Sequence, residues 1–245
     1  MIYKDLIYIH IPKTGGSSIR SSLSKNYDLI FNASKENLTK MGFENLNRKF
    51  ETFDFSIGEF KDHIPYQLIL EKKLDYKKFL FTFVRNPFSR LVSLYFECLG
   101  NNFHIKDLNT KNNISFEQFV DIITEKNYWF TIPMIDYIGA NNIKKINFLG
   151  RFENFENDIL KLKKKIKISI KHHNFNNQLN SKFKFSDYRS FYSSNKIIDK
   201  VSSYYERDLQ TFQYDYDKFL NFEKNKIKLT TIVSRIIKRK IINLI

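Results

Sequence analysis

A chain of 245 residues that is 42% hydrophobic, with 25 Phe and 14 Tyr, can bury a substantial core in one α/β domain, and this excludes a disordered chain. Its 41 Lys and Arg outnumber 26 Asp and Glu, a formal charge of +15 that attracts anions without choosing among nucleotides, nucleic acid, acidic glycans and anionic lipid. The single Cys98 excludes an intrachain disulfide, no run of about 20 apolar residues marks a spanning helix, and no signal peptide is visible, so the chain reads as cytoplasmic.

Residues 5–11 are apolar and β-branched, the signature of a buried strand, and they lead into a glycine loop at 12–16. Ser17 or Ser18 then caps a helix to about Leu23. Residues 27–62 are polar and interrupted, with a short helix near 35–41. Residues 65–74 have helical spacing behind Pro65. Residues 78–84 form a continuous apolar run, as a central parallel strand does, and Pro87 opens a helix through about Glu97. Residues 99–114 read as a surface loop. Ser115 starts a capped helix that carries Phe116, Phe119, Val120 and Ile123 on one side. A strand at 145–149, a helix to about Lys164, a basic loop at 174–187 and a long helix from Asn195 to Phe212 complete the domain.

The alternation predicts an α/β, three-layer, P-loop-like fold with a central parallel β-sheet flanked by helices, spanning residues 1–222. The tail 223–245 keeps Leu229, Ile232, Val233, Ile236 and Ile237 at helical spacing, opposite Arg235, Lys238, Arg239 and Lys240. Two readings fit it: attachment to an anionic membrane surface, or a helix docked on the core or on a second subunit.

Two constellations carry chemistry. The first is Lys13-Thr14-Gly15-Gly16-Ser17-Ser18. Glycine lets backbone N–H groups approach a dense anion, and the following helix adds its positive end. Thr14, Ser17 and Ser18 add hydroxyls, and Lys13 adds a mobile charge. A nucleoside-triphosphatase loop would place its Lys after the glycines, whereas here it precedes them. A tight strand-to-helix turn with a capping serine is the structural alternative. The second is Arg85-Asn86-Pro87-Phe88-Ser89-Arg90-Leu91-Val92-Ser93, with Arg85 at the carboxyl end of the second strand, where open sheets bind ligands. A guanidinium there grips phosphate through paired hydrogen bonds, or else forms a surface ion pair.

Together these segments resemble the carbohydrate sulfotransferase family that includes heparan sulfate 2-O-sulfotransferase. Gly150-Arg151-Phe152-Glu153-Asn154-Phe155 and Tyr205-Glu206-Arg207-Asp208-Leu209, with Phe212 and Tyr214, fit its downstream pattern. The resemblance spans residues 5 to about 216. It implies 3′-phosphoadenosine 5′-phosphosulfate as donor, no metal, and a glycan or glycolipid hydroxyl as acceptor. It places the 5′-phosphosulfate on Lys13, Thr14, Gly15, Gly16, Ser17 and Ser18, and the 3′-phosphate on Arg85 and Ser93. His63 falls at the family's base position, and Lys182 lies in a loop that covers the nucleotide in relatives. His10 reads as a packing residue, and His104, His172 and His173 are weaker candidates. A P-loop kinase and a basic nucleic-acid-binding module are the rival readings, although no recognised nucleic-acid motif is present.

Overall fold

Phe79–Val84 is the apolar run that the sequence places at the centre, and there it forms the middle strand of the sheet. The computed structural model describes residues 1–3, 5–23, 29–31, 47–49, 54–56, 63–166 and 187–217. The short helix near 35–41, residues 174–186 with Lys182, and the tail 223–245 lie outside the described residues, as do His172 and His173.

Three strands run parallel: β2 (Leu6–Ile9), β6 (Phe79–Val84) and β7 (Phe148–Arg151). β2 pairs with β6 from Leu6↔Phe79 to Ile9↔Thr82, and β6 pairs with β7 from Phe81↔Phe148 to Val84↔Arg151. The Thr82 hydroxyl adds a cross-strand bond to Ile9 O at 2.7 Å. The sheet is mixed rather than wholly parallel. β1 (Ile2–Tyr3) pairs antiparallel with β2 on one side and with β3 (Leu29–Phe31) on the other, giving the order β3-β1-β2-β6-β7. A two-residue strand is too short to leave a periodic signal. A separate ribbon joins β4 (Asn47–Lys49) to β5 (Asp54–Ser56).

Side chains alternate across a strand, so each strand feeds both faces of the sheet. Leu6, Tyr8, Phe81, Phe83 and Phe148 pack with Ile19 and Leu23 of α1 (Gly16–Leu23) and with Ile159, Leu162 and Ile166 of α7 (Phe155–Ile166). Ile7, Ile9, Leu80 and Val84 pack in the opposite core. That core includes α2 (Tyr66–Glu71), α3 (Pro87–Leu99), α5 (Phe116–Lys126), α6 (Met134–Ile138), α8 (Asn195–Tyr204) and α9 (Glu206–Phe212). Two covered faces make the three layers that the alternation implies.

The helix starts follow ordinary capping chemistry. Asn86 Oδ1 accepts from Phe88 N at 2.9 Å, and Pro87 fills the first turn of α3, where an N–H would find no helical partner. Ser115 and Gln118 cap α5 reciprocally.

Three boundaries differ from the sequence reading. Residues 99–114 contain a helix, α4 (Asn102–Asp107), started by the Asn101 side chain accepting from Phe103 N. The strand expected at 145–149 begins later. Residues Ala140–Lys145 wind as a 3-10 turn behind Gly139, and pairing starts only where Asn147 exchanges bonds with Leu80. The long helix 195–212 bends at Tyr205 into α8 and α9. The bend aims the Tyr205 hydroxyl at Thr131 O (2.6 Å) and the Asp208 carboxylate at the N–H groups of Met134 and Ile135 (2.7 and 2.8 Å).

Segment 129–135 is thus held from two sides, because the buried Arg90 of α3 also donates to Ile132 O at 2.9 Å. Asp208→Ala leaves two inward N–H groups unpaired and removes the carboxylate whose charge faces Arg90. The expected loss is about 3–5 kcal/mol, measured by denaturant unfolding. A loss below about 1 kcal/mol would contradict this brace.

Candidate functional site

β2 and β6 end side by side, and the segments that leave them form the site. After Ile9 the chain passes His10, Ile11 and Pro12 and turns at Lys13, which adopts the left-handed conformation (φ 63°). An L-residue there is strained by roughly 1–2 kcal/mol, a kind of strain that gathers at functional sites. The turn presents Lys13 O to Arg85 Nη1 at 3.2 Å. Thr14 is fully buried and donates its hydroxyl to Ile11 O at 2.9 Å. It therefore closes the turn, and the hydroxyls nearest solvent are those of Ser17 and Ser18 in the first turn of α1.

The two glycines answer a steric demand. A Cβ on Gly15 (φ +95°) would meet the Phe155 ring at 2.6 Å, and one on Gly16 would meet His10 Nε2 at 1.7 Å. Phe155 and His10 therefore occupy the volume that side chains at these positions would need. At Gly15 and Gly16 the loop carries no side chain, and it stands at the start of α1, where unpaired N–H groups and the helix dipole favour an anion.

Arg85 extends from the end of β6 across this loop. Its Nε and Nη2 donate to Ser89 Oγ at 3.0 and 2.8 Å, and its guanidinium lies 4.2 Å from the Phe152 ring centre. Burial lowers its pKa to about 10, against the opposing pull of Glu153, so it stays charged at neutral pH. Arg90, one turn into α3, is buried and donates Nε to Pro12 O at 3.0 Å, which fixes the start of the loop. Ser93 is half-buried on α3, four residues after Ser89 and four before Glu97. Positions four apart share a helix face, so Ser93 lies between the residue that holds Arg85 and the one that holds Lys13. Lys13 Nζ contacts Glu97 Oε2 at 2.9 Å.

His63 enters from the segment before α2. Its Nδ1 lies 2.8 Å from His10 O, and the two imidazole centres are 4.1 Å apart. A carbonyl only accepts, so His63 Nδ1 carries the proton and Nε2 is the basic nitrogen. The rings of Trp129 and Phe130 stand 6.4 and 5.9 Å from it, and His104 stacks on Phe130 at 4.3 Å. The structure thus brings Lys13, Gly15, Gly16, Arg85 and His63 together around the ends of β2 and β6.

Sequence reasoning quoted Ser89 and Phe155 within motifs without giving them a role, ranked His104 among the weaker candidates, and gave Glu97 no part in the site. The four-residue spacing of Ser89, Ser93 and Glu97 was a legible signal for a shared face. Nothing local marks Phe155 or His104 as neighbours of the loop. Glu153 also proves to be a brace: Oε1 accepts from Asn86 N at 2.6 Å and Oε2 from the Tyr214 hydroxyl at 2.8 Å. Arg151 reaches Phe212 O at 2.8 Å and lies over the Tyr214 ring. The downstream segments therefore fasten the end of β6.

Two outcomes follow. Gly16→Ala forces the loop off His10 and costs about 3 kcal/mol by overpacking, measured by thermal unfolding. His10→Ala in the same chain recovers part of that loss, and equal melting of the single and double variants would contradict the fit. The second concerns pH. Burial, followed by the field of His63, holds the His10 pKa well below the usual 6.5, and burial also lowers that of His104. The unfolded chain takes up these protons near pH 6.5, before the folded protein does. Their contribution is therefore present above about pH 6.5 and is lost as pH falls from there toward the lower folded-state values, so the melting temperature drops as pH is taken below about 6.5. Asp208, raised by burial to about 6, opposes this with one group against two. A flat profile would contradict it.

The family model described as "Sulfotransferase family" matches residues 3–215. A search of curated proteins returns no match. Among solved structures, a sulfotransferase from Alicyclobacillus acidocaldarius aligns with 14% identity over 87% of this chain and 100% of that one, at a TM-score of 0.40. The family model spans both nucleotide-type motifs and the downstream segments that brace them: the chain belongs to the sulfotransferase family.

Proposed function

We propose that the protein transfers a sulfuryl group from 3′-phosphoadenosine 5′-phosphosulfate to a carbohydrate hydroxyl, on a polysaccharide or glycolipid. The observation that carries this reading is the bare glycine loop beside Lys13 and Arg85, which offers N–H groups and two cations to a doubly phosphorylated nucleotide. In this reading the 5′-phosphosulfate lies on the N–H groups of Gly15 to Ser18, and the 3′-phosphate meets Arg85 and Ser93. Among the described residues no cluster of His, Cys, Asp and Glu suits a metal ion.

The chemistry follows from where charge moves. The acceptor oxygen attacks sulfur while the bond from sulfur to the bridging oxygen breaks in line. The hydroxyl proton passes to His63 Nε2, the nitrogen left basic by the Nδ1 bond to His10 O. The electron pair of the broken bond settles on the 5′-phosphate, where Lys13 and the loop N–H groups stabilise it. His63 belongs near the acceptor, and its aromatic neighbours Trp129 and Phe130 give that side an apolar wall.

Calorimetry with 3′,5′-phosphoadenosine tests the donor assignment. Wild-type protein binds without Mg²⁺, while Lys13→Ala and Arg85→Ala weaken binding by about 10-fold or more. A wild-type chain that ignores this nucleotide yet binds ATP with Mg²⁺ would replace the proposal with a kinase. His63→Ala keeps nucleotide affinity within about threefold and slows transfer of labelled sulfate to a glycan panel by about 100-fold or more. Unchanged transfer would move the base elsewhere.

A further inference from the structure

Glu97 is a carboxylate at a site built for anions. It sits on the face of α3 that carries Ser89 and Ser93, and its Oε2 holds Lys13 Nζ at 2.9 Å. Both side chains are about a quarter exposed, 25% for Lys13 and 27% for Glu97, so the pair is open to solvent and can part. Arg90 and Arg85 fix the loop backbone at Pro12 O and Lys13 O. The Lys13 side chain is therefore the mobile cation of the loop, with its direction set by Glu97. From α4, His104 and Asp107 face the same region and share its charge field with Glu97 and Lys13.

We propose that Glu97 is a positioning residue that holds Lys13 until the donor is seated. Resting on the donor reading above, the exchange is simple: the ammonium leaves the Glu97 carboxylate and takes up the donor's bridging oxygen. A ligand shifts such an equilibrium only by its differential affinity for the two arrangements. A multiply charged phosphosulfate can draw Lys13 away, whereas a weaker anion meets the Glu97 charge and an occupied lysine. Glu97 thereby lowers donor affinity and raises discrimination against small anions, a repulsive element working for specificity.

The test is a double-mutant cycle read by calorimetry with 3′,5′-phosphoadenosine, each variant first checked by thermal unfolding. Glu97→Gln binds about tenfold more tightly than wild type, because Lys13 no longer has a carboxylate to leave. Glu97→Asp keeps the charge but shortens the reach by one methylene, and it tightens binding about threefold. In the Lys13→Ala background the Glu97→Gln gain shrinks to about twofold or less. An equal gain with and without Lys13 would mean that Glu97 acts only through its field, and that overturns the proposal. Unchanged or weaker binding in Glu97→Gln overturns it as well. Wild-type protein that does not bind 3′,5′-phosphoadenosine removes the donor reading itself, whereas wild-type binding without a gain in Glu97→Gln removes only the role of Glu97.

Discussion

At Gly16 a methyl group would lie 1.7 Å from His10 Nε2, and at Gly15 it would strike the Phe155 ring at 2.6 Å. This filling of side-chain space by two distant residues is the constraint on which the site depends. It strips the loop to its backbone and presents N–H groups where α1 begins. It also ties the loop to the strand it leaves and to the far parallel strand, β7. His10 follows β2 and shares its carbonyl with His63, while Phe155 opens α7 behind β7. A single packing arrangement thereby sets the glycine loop beside the His63 imidazole.

The loop is held by cations that are themselves held by backbone carbonyls. Arg90 takes Pro12 O and Ile132 O, and Arg85 takes Lys13 O. Buried guanidinium groups are costly unless hydrogen-bonded, and these bonds offset part of that cost. Asp208 supplies the neighbouring negative charge from α9, and Glu153 does so for Arg85 from the segment after β7. The late segments of the chain therefore act on the site through its supports. They fasten residues 129–135 and the end of β6, against which Arg85, Arg90 and His63 are set.

Much of this was legible in order along the chain. The strand, glycine loop and helix at 6–23, and the strand, Arg85 and proline-started helix at 79–99, are local signals and formed in that order, although α1 begins at Gly16 and takes Ser17 and Ser18 into its first turn instead of using either as a cap. What failed was non-local. The bend at Tyr205 serves Thr131, Met134 and Ile135, some 70 residues earlier, so helical periodicity ran straight through it. A local bond also went unread: the Thr14 hydroxyl closes the turn on Ile11 O, three residues back. Glu97, which the sequence marks only as the approximate end of a helix, meets Lys13 from 84 residues away.

The central claim is that the bare loop binds the 5′ end of the donor nucleotide while Arg85 binds its 3′-phosphate. A crystal structure with 3′,5′-phosphoadenosine tests it directly. The account predicts the 5′-phosphate within hydrogen-bond distance of the N–H groups of Gly15 to Ser18, and the 3′-phosphate on Arg85. A 5′-phosphate on Arg85, or a nucleotide bound away from both, would contradict it.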